Sequence, residues 1–157
     1  YIMNSLYQRL RLQQFRFISA FFCLCGDFLA SKYLWDKFTN REVFDLIFNQ
    51  FMQIQGMTPV AGLQKEVFQL LINTLILCLG LVILIHIIVY AFYIYNKRFA
   101  FEYFRVLNWF GALGAFFIGL KLVSNNTLWG SLIIFQGFLY FFSAYGLRKF
   151  PIPIKEK

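Results

Sequence analysis

Four long apolar runs dominate the chain, separated by short polar stretches. The strongest covers 67–95, where only Asn73, Thr74 and His86 interrupt the stretch from Leu70 to Tyr95. Two more cover 106–123 and 128–147. The first, beginning at Phe17, is apolar only as far as Ala30. It reaches spanning length if it continues through Tyr33, Leu34 and Trp35, giving 17–35 with Lys32 snorkelling outward. A helix rises about 1.5 Å per residue, so roughly 20 apolar residues cross the ~30 Å hydrocarbon core of a bilayer. The run at 67–95 exceeds that and is expected to tilt or project. Regular two-residue alternation with periodic turns is absent, which argues against a membrane β-barrel. The pattern predicts an all-α integral membrane protein with four transmembrane helices, forming a single domain over 1–157.

Between the first two runs, 36–66 follows a different pattern. In "REVFDLIFNQFMQIQG" the residues Val43, Phe44, Ile47, Phe48, Phe51 and Ile54 recur at helical spacing, with Asp45, Asn49 and Gln50 between them. This predicts an amphipathic helix on the outer membrane surface or across the bundle, ended by Gly56. Thr58-Pro59 is a start signal for a further helix, with threonine as cap and proline in the first turn. The N-terminal "LYQRLRLQQFRF" is a second candidate for an interfacial helix.

Composition removes the soluble alternative. Apolar residues make up 60% of the chain and charged residues 14%, against roughly a quarter charged in a soluble domain. The net charge of +8 is consistent with nucleic acid or anionic lipid, and its placement selects lipid. Arg9, Arg11 and Arg16 precede the first span. Lys97, Arg98 and Arg105 separate the second and third, and Arg148, Lys149, Lys155 and Lys157 follow the fourth. On the opposite side, Lys32, Lys37, Arg41 and Lys65 are matched by Asp36, Glu42, Asp45 and Glu66, leaving Lys121. The positive-inside bias therefore puts both termini in the cytoplasm. Trp35 and Trp129 at outer ends, with Tyr90, Tyr93, Tyr95, Trp109, Tyr140 and Tyr145 toward inner ends, fit the same boundaries. A bacterial inner membrane is the expected location. No cleavable secretory signal is expected, because Asp27 interrupts the first run and no small-x-small cleavage site follows.

Two ionisable residues inside the spans are the candidates for chemistry. Asp27 lies eleven residues past Arg16, and His86 ten residues before Asn96. Both are therefore roughly 15 Å deep from the same side, near the midplane. A carboxylate facing lipid costs on the order of 3 kcal/mol, so such groups pair, face water or become neutral. The expectation is that Asp27 meets His86 inside the bundle, assisted by Asn73 and Tyr90 from the second span and Ser31 one turn along from Asp27. The plainer alternative is a hydrogen-bonded contact that merely joins helices, at roughly 1 kcal/mol or less.

Small residues supply a second pattern. Gly111, Ala115 and Gly119 recur at four-residue intervals, and Gly130 and Gly137 stand a heptad apart, near Asn108 and Gln136 respectively. Such faces let membrane helices approach closely. The nearest partner for the third span is the fourth, reached through the short "SNNT" turn; a homo-oligomer is the alternative. Cys23, Cys25 and Cys78 lie in apolar runs and are expected to pack as small hydrophobes.

Motifs of known catalysis are missing: no phosphate-binding glycine loop, no His-x-x-x-His and no Gly-x-Ser-x-Gly. A single histidine excludes bis-histidine haem within one subunit. "CGDFLASKYL" resembles the first helix of lipoprotein signal peptidases, with their Asp-Gln-x-(Ser/Thr)-Lys segment and four spans. That resemblance would imply an aspartyl peptidase. The catalytic aspartates of that family lie in later Gly-Asn-x-x-Asp-Arg and Asp-Phe type motifs, whereas the last three spans here hold no acidic residue and Phe28 replaces the glutamine. Peptidase activity is therefore not expected, nor are a cofactor, a metal or a nucleic-acid partner. The function expected first is a non-enzymatic membrane subunit that assembles with itself or a larger membrane complex in contact with lipid. A channel, carrier or lipid-binding protein using Asp27 and His86 comes second, and an intramembrane enzyme acting on lipid third.

Overall fold

The computed structural model describes residues 7, 10–56 and 62–150. Among them, five helices follow in order: α1 (Leu12–Phe38), α2 (Arg41–Ile54), α3 (Leu63–Ile94), α4 (Arg98–Val123) and α5 (Thr127–Lys149). No strand occurs among the described residues. Helices α1, α3, α4 and α5 are each long and apolar enough to cross a membrane, as a multi-pass membrane protein requires. Thr58-Pro59, with its expected helix start, lies outside the described residues.

All four long helices begin before the apolar runs do. Of the expected N-terminal interfacial helix over 6–17, Leu12 to Phe17 form the opening turns of α1 instead. The largest difference is at α4, which begins at Arg98 and not near Val106. Lys97, Arg98, Glu102 and Arg105 suggest a polar loop, yet only three residues, Tyr95 to Lys97, separate α3 from α4. Asn96 makes this turn. It adopts φ 63°, in the left-handed region that asparagine tolerates better than most residues. The Asn96 N–H bonds Tyr93 O (3.0 Å) and the Lys97 N–H bonds Phe92 O (3.0 Å), the paired bonds of a Schellman cap. Glu102 and Arg105 then pair at 2.6 Å on an exposed face of α4.

Contacts divide the chain into two compact units, residues 1–29 with 85–157, and residues 30–84. In the first unit, α1 runs antiparallel to the C-terminal part of α3, and polar contacts mark the register. Arg16 reaches Asn96, Ser19 reaches Tyr93, and Asp27 reaches Tyr90 and His86. Aromatic packing fills the space around them: Tyr93 stacks on Phe104 of α4 at 4.1 Å, and Tyr90 meets the same ring edge-on at 5.6 Å. Near the ends of α1 and α5, Phe15 stacks on Phe150 and Tyr7 on Phe142, each at 4.9 Å.

Helices α4 and α5 form a hairpin through a turn capped by Asn126, whose side chain accepts from Trp129 N. The small residues predicted to pack do so against each other's helix. A Cβ on Gly130 would lie 2.5 Å from the backbone nitrogen of Val123, and one on Gly119 would lie 3.0 Å from that of Ile134. Gly137 faces Ala115 and Phe116, and Gly111 faces the Tyr140 ring. With backbones this close, dispersion contacts replace the hydrophobic driving force that lipid removes.

In the second unit, Asn40 caps α2 by accepting from Val43 N at 3.2 Å. Phe44, Phe48 and Met52 turn inward: Phe44 packs on Phe68 of α3 at 4.9 Å, and Met52 is buried. Arg41 lies over the Phe68 ring at 4.6 Å and pairs with Asp45 at 2.8 Å. Val43, Ile47, Phe51 and Ile54, on the other side of α2, stay exposed.

Candidate functional site

Asp27 lies on α1 where Cys23, one turn earlier, and Gly26 leave room for three other helices. Its carboxylate is 8% exposed, and both oxygens are engaged by α3. His86 Nδ1 lies 2.8 Å from Oδ1, and the Tyr90 hydroxyl donates to Oδ2 at 2.7 Å. His86 and Tyr90 are four residues apart on one face of α3, so a single carboxylate meets both. The other imidazole nitrogen, Nε2, lies 2.8 Å from the hydroxyl of Tyr103 on α4. The result is a continuous chain from Tyr90 through Asp27 and His86 to Tyr103.

Neighbouring polar groups close this chain off on its other sides. The Cys23 thiol donates to Asn108 Oδ1 of α4 at 3.2 Å, while Asn108 Nδ2 donates to the Phe104 carbonyl at 2.7 Å. From α5, Gln136 Nε2 donates to the Phe22 carbonyl at 2.8 Å. Gly26 makes this approach feasible, because a Cβ there would overlap the Tyr140 hydroxyl and lie 2.5 Å from Gln136 Nε2. Asp27 is thus walled by α3, α4 and α5. Tyr103 is different, being 40% exposed.

Electrostatics constrain the protons. A lone carboxylate in a low-dielectric interior is costly, whereas a carboxylate and imidazole that share one proton carry no net charge. The proton can sit on the carboxyl or on the imidazole, giving coupled forms of one pair. Among the described residues no lysine or arginine makes an ion pair with Asp27, and the imidazole is the counter-charge within reach.

Of the residues singled out in the sequence, Asp27, His86 and Tyr90 come together. Ser31, one turn beyond Asp27, belongs to the second unit. Asn73 also belongs to the second unit; it is exposed and accepts from Gln69 at 3.1 Å. Tyr103 is the member missed, hidden by the expected loop over the start of α4. All three cysteines are free, with Cys23 fully buried and Cys78 exposed.

A second polar knot joins the same helices nearer their ends. Ser19 Oγ donates to the Phe15 carbonyl at 2.8 Å, which leaves the Tyr93 hydroxyl, 3.2 Å from Ser19 Oγ, to donate to it. Arg16, only 8% exposed, donates from a guanidinium nitrogen to Asn96 Oδ1 at 2.8 Å.

Comparison with known proteins finds no matching family model, no matching curated protein and no matching solved structure.

Proposed function

We propose that this chain is a proton-coupled membrane protein, a carrier or channel subunit that binds and releases a proton at the Asp27–His86 pair. The observation that carries this reading is a carboxylate and an imidazole in contact inside the helix bundle, linked by Tyr103 to its surface. Ionisable groups at such positions commonly mark proton or ion pathways. The reading of an assembly subunit loses weight, because the small residues that motivated it are occupied between α4 and α5. The charge bias supports cytoplasmic termini and a location such as the bacterial inner membrane. The exposed apolar side of α2 supports a place at the outer membrane surface, against lipid.

Replacement of Asp27 by Asn tests the proposal, because the amide keeps a hydrogen-bonding contact but holds no exchangeable charge. In liposomes loaded with a pH-sensitive dye under a potassium-valinomycin potential, the wild type should pass protons faster than empty vesicles. Asp27→Asn should return the rate to the empty-vesicle level while the protein stays folded. A wild type no faster than empty vesicles, or a folded variant as fast as the wild type, overturns it. The pair would then be a clasp between α1 and α3.

A further inference from the structure

We infer that Tyr103 is the proton port of this site, with a hydroxyl that reverses its hydrogen-bond role each time the Asp27–His86 pair gains or loses a proton. This rests on the proton-binding reading above and adds the route by which the proton arrives.

The two forms without net charge make the same demand at Nε2. If Asp27 is protonated, its O–H donates to Nδ1, and the neutral imidazole then carries its hydrogen on Nε2. If the proton sits on the imidazole, both ring nitrogens carry hydrogen and Asp27 is a carboxylate. In either case Nε2–H donates to the Tyr103 oxygen, 2.8 Å away, and the tyrosine's own hydrogen is turned outward. Removing one proton from the pair leaves Nδ1–H on the carboxylate and a bare lone pair on Nε2. Tyr103 must then turn its O–H inward and donate.

Reprotonation follows as a balanced two-bond exchange. A hydronium ion outside gives a proton to the Tyr103 oxygen as the existing O–H proton passes to Nε2. Two O–H bonds break, one on hydronium and one on tyrosine, while one new tyrosine O–H bond and one N–H bond form; a water molecule is left outside, and tyrosine ends neutral with its hydrogen turned outward. No ionised tyrosine is needed.

The placement of Tyr103 suits this role and that of the other hydroxyls does not. Tyr90 and Tyr140 also face the pair's surroundings, as does the Cys23 thiol, but all three are buried or nearly so. Tyr103 is exposed, and it stands in the opening turns of α4 between Glu102 and Arg105, which pair with each other and not with the site. Its ring therefore bridges from a charged helix end to a deep imidazole, meeting it edge-on with centroids 5.9 Å apart.

His86 is the one histidine in the chain, so histidine labelled with nitrogen-15 reports this site alone. In lipid nanodiscs, the nitrogen shifts of wild-type protein should move with pH, with hydrogen on Nε2 at the acidic end. Tyr103→Phe keeps the ring and removes only the hydroxyl. His86 in that variant should still titrate, while hydrogen exchange at Nε2 and proton flux into liposomes fall on the order of a hundredfold. Tyr103→His, which restores a relaying group, should recover part of that loss. Exchange and flux in folded Tyr103→Phe equal to wild type would overturn the port while leaving proton binding intact. A wild-type histidine that never titrates would instead remove the proton-binding reading itself.

Discussion

The two polar knots between α1 and α3 sit on the same pair of helices and use opposite chemistry. At the helix ends, a guanidinium that cannot lose its proton donates to a neutral amide oxygen. Asn96 is also the cap of α3, so Arg16 lies where the last carbonyls leave partial negative charge, which favours a cation. Deeper in, the Asp27–His86 pair has no such fixed partner. The partner of Asp27 is an imidazole, 2.8 Å away, and on the reading proposed above proton occupancy is the variable there. On that reading, position along one helical seam separates a fastening from a proton-binding site.

The largest effect should come from Asp27→Leu. It leaves His86 Nδ1 and the Tyr90 hydroxyl without an acceptor in a site closed by three helices. Breaking one side of a buried ion pair costs about 3–5 kcal/mol, and the loss should appear as a lower midpoint in denaturant titration of detergent-solubilised protein. Asp27→Asn should cost much less, because an amide oxygen still accepts. If the two variants were equally destabilised, the pair would matter for its charge alone.

Arg16→Met comes next. Methionine keeps part of the stem while removing the hydrogen bond to Asn96, a bond to a charged group worth about 2 kcal/mol. The contrast with Asp27 lies in the pH dependence. The loss from Arg16→Met should be the same from acidic to mildly alkaline pH, while that from Asp27→Leu should vary with the proton held by the pair. A pH-dependent Arg16→Met would merge the two knots into one titrating network and break the comparison.

Much of this arrangement is written in the spacing of a few residues. Arg16 and Asn96 mark polar helix ends, and counting inward at equal rise brings Asp27 and His86 to one level. The contacts observed follow that register. The glycine spacing of α4 and α5 similarly indicates close backbones, because little except packing explains small residues at regular intervals in lipid. Tyr103 was not legible for two reasons. Charged residues around it imitate a loop, although a Schellman turn at Asn96 lets the helix begin at once. Its contact with His86 also depends on how α4 rotates about its axis, which is set by the Tyr93–Phe104 stack and the Cys23–Asn108 bond, not by local pattern. The same argument covers Asn73 and Ser31. Polarity and nearness in sequence are enough to nominate them, but joining the pair requires a side chain that points at it.

Tyr93→Phe gives the smallest and cleanest separation of the two knots. The stack on Phe104 depends on the ring and should survive, leaving only the hydrogen bond to Ser19 to be lost. Ser19 keeps its own donor satisfied by the Phe15 carbonyl, so no buried group is stranded as a donor. The expected cost is about 1 kcal/mol, independent of pH, with proton flux unchanged. The matched exchange at Tyr90 removes a donor to the Asp27 carboxylate and so should alter both the flux and the nitrogen shifts of His86. Two tyrosines on successive turns of α3, losing the same oxygen atom, would then differ in whether a titrating pair lies at the other end of the bond. Equal responses would show that depth in the bundle, and not contact with the pair, governs both.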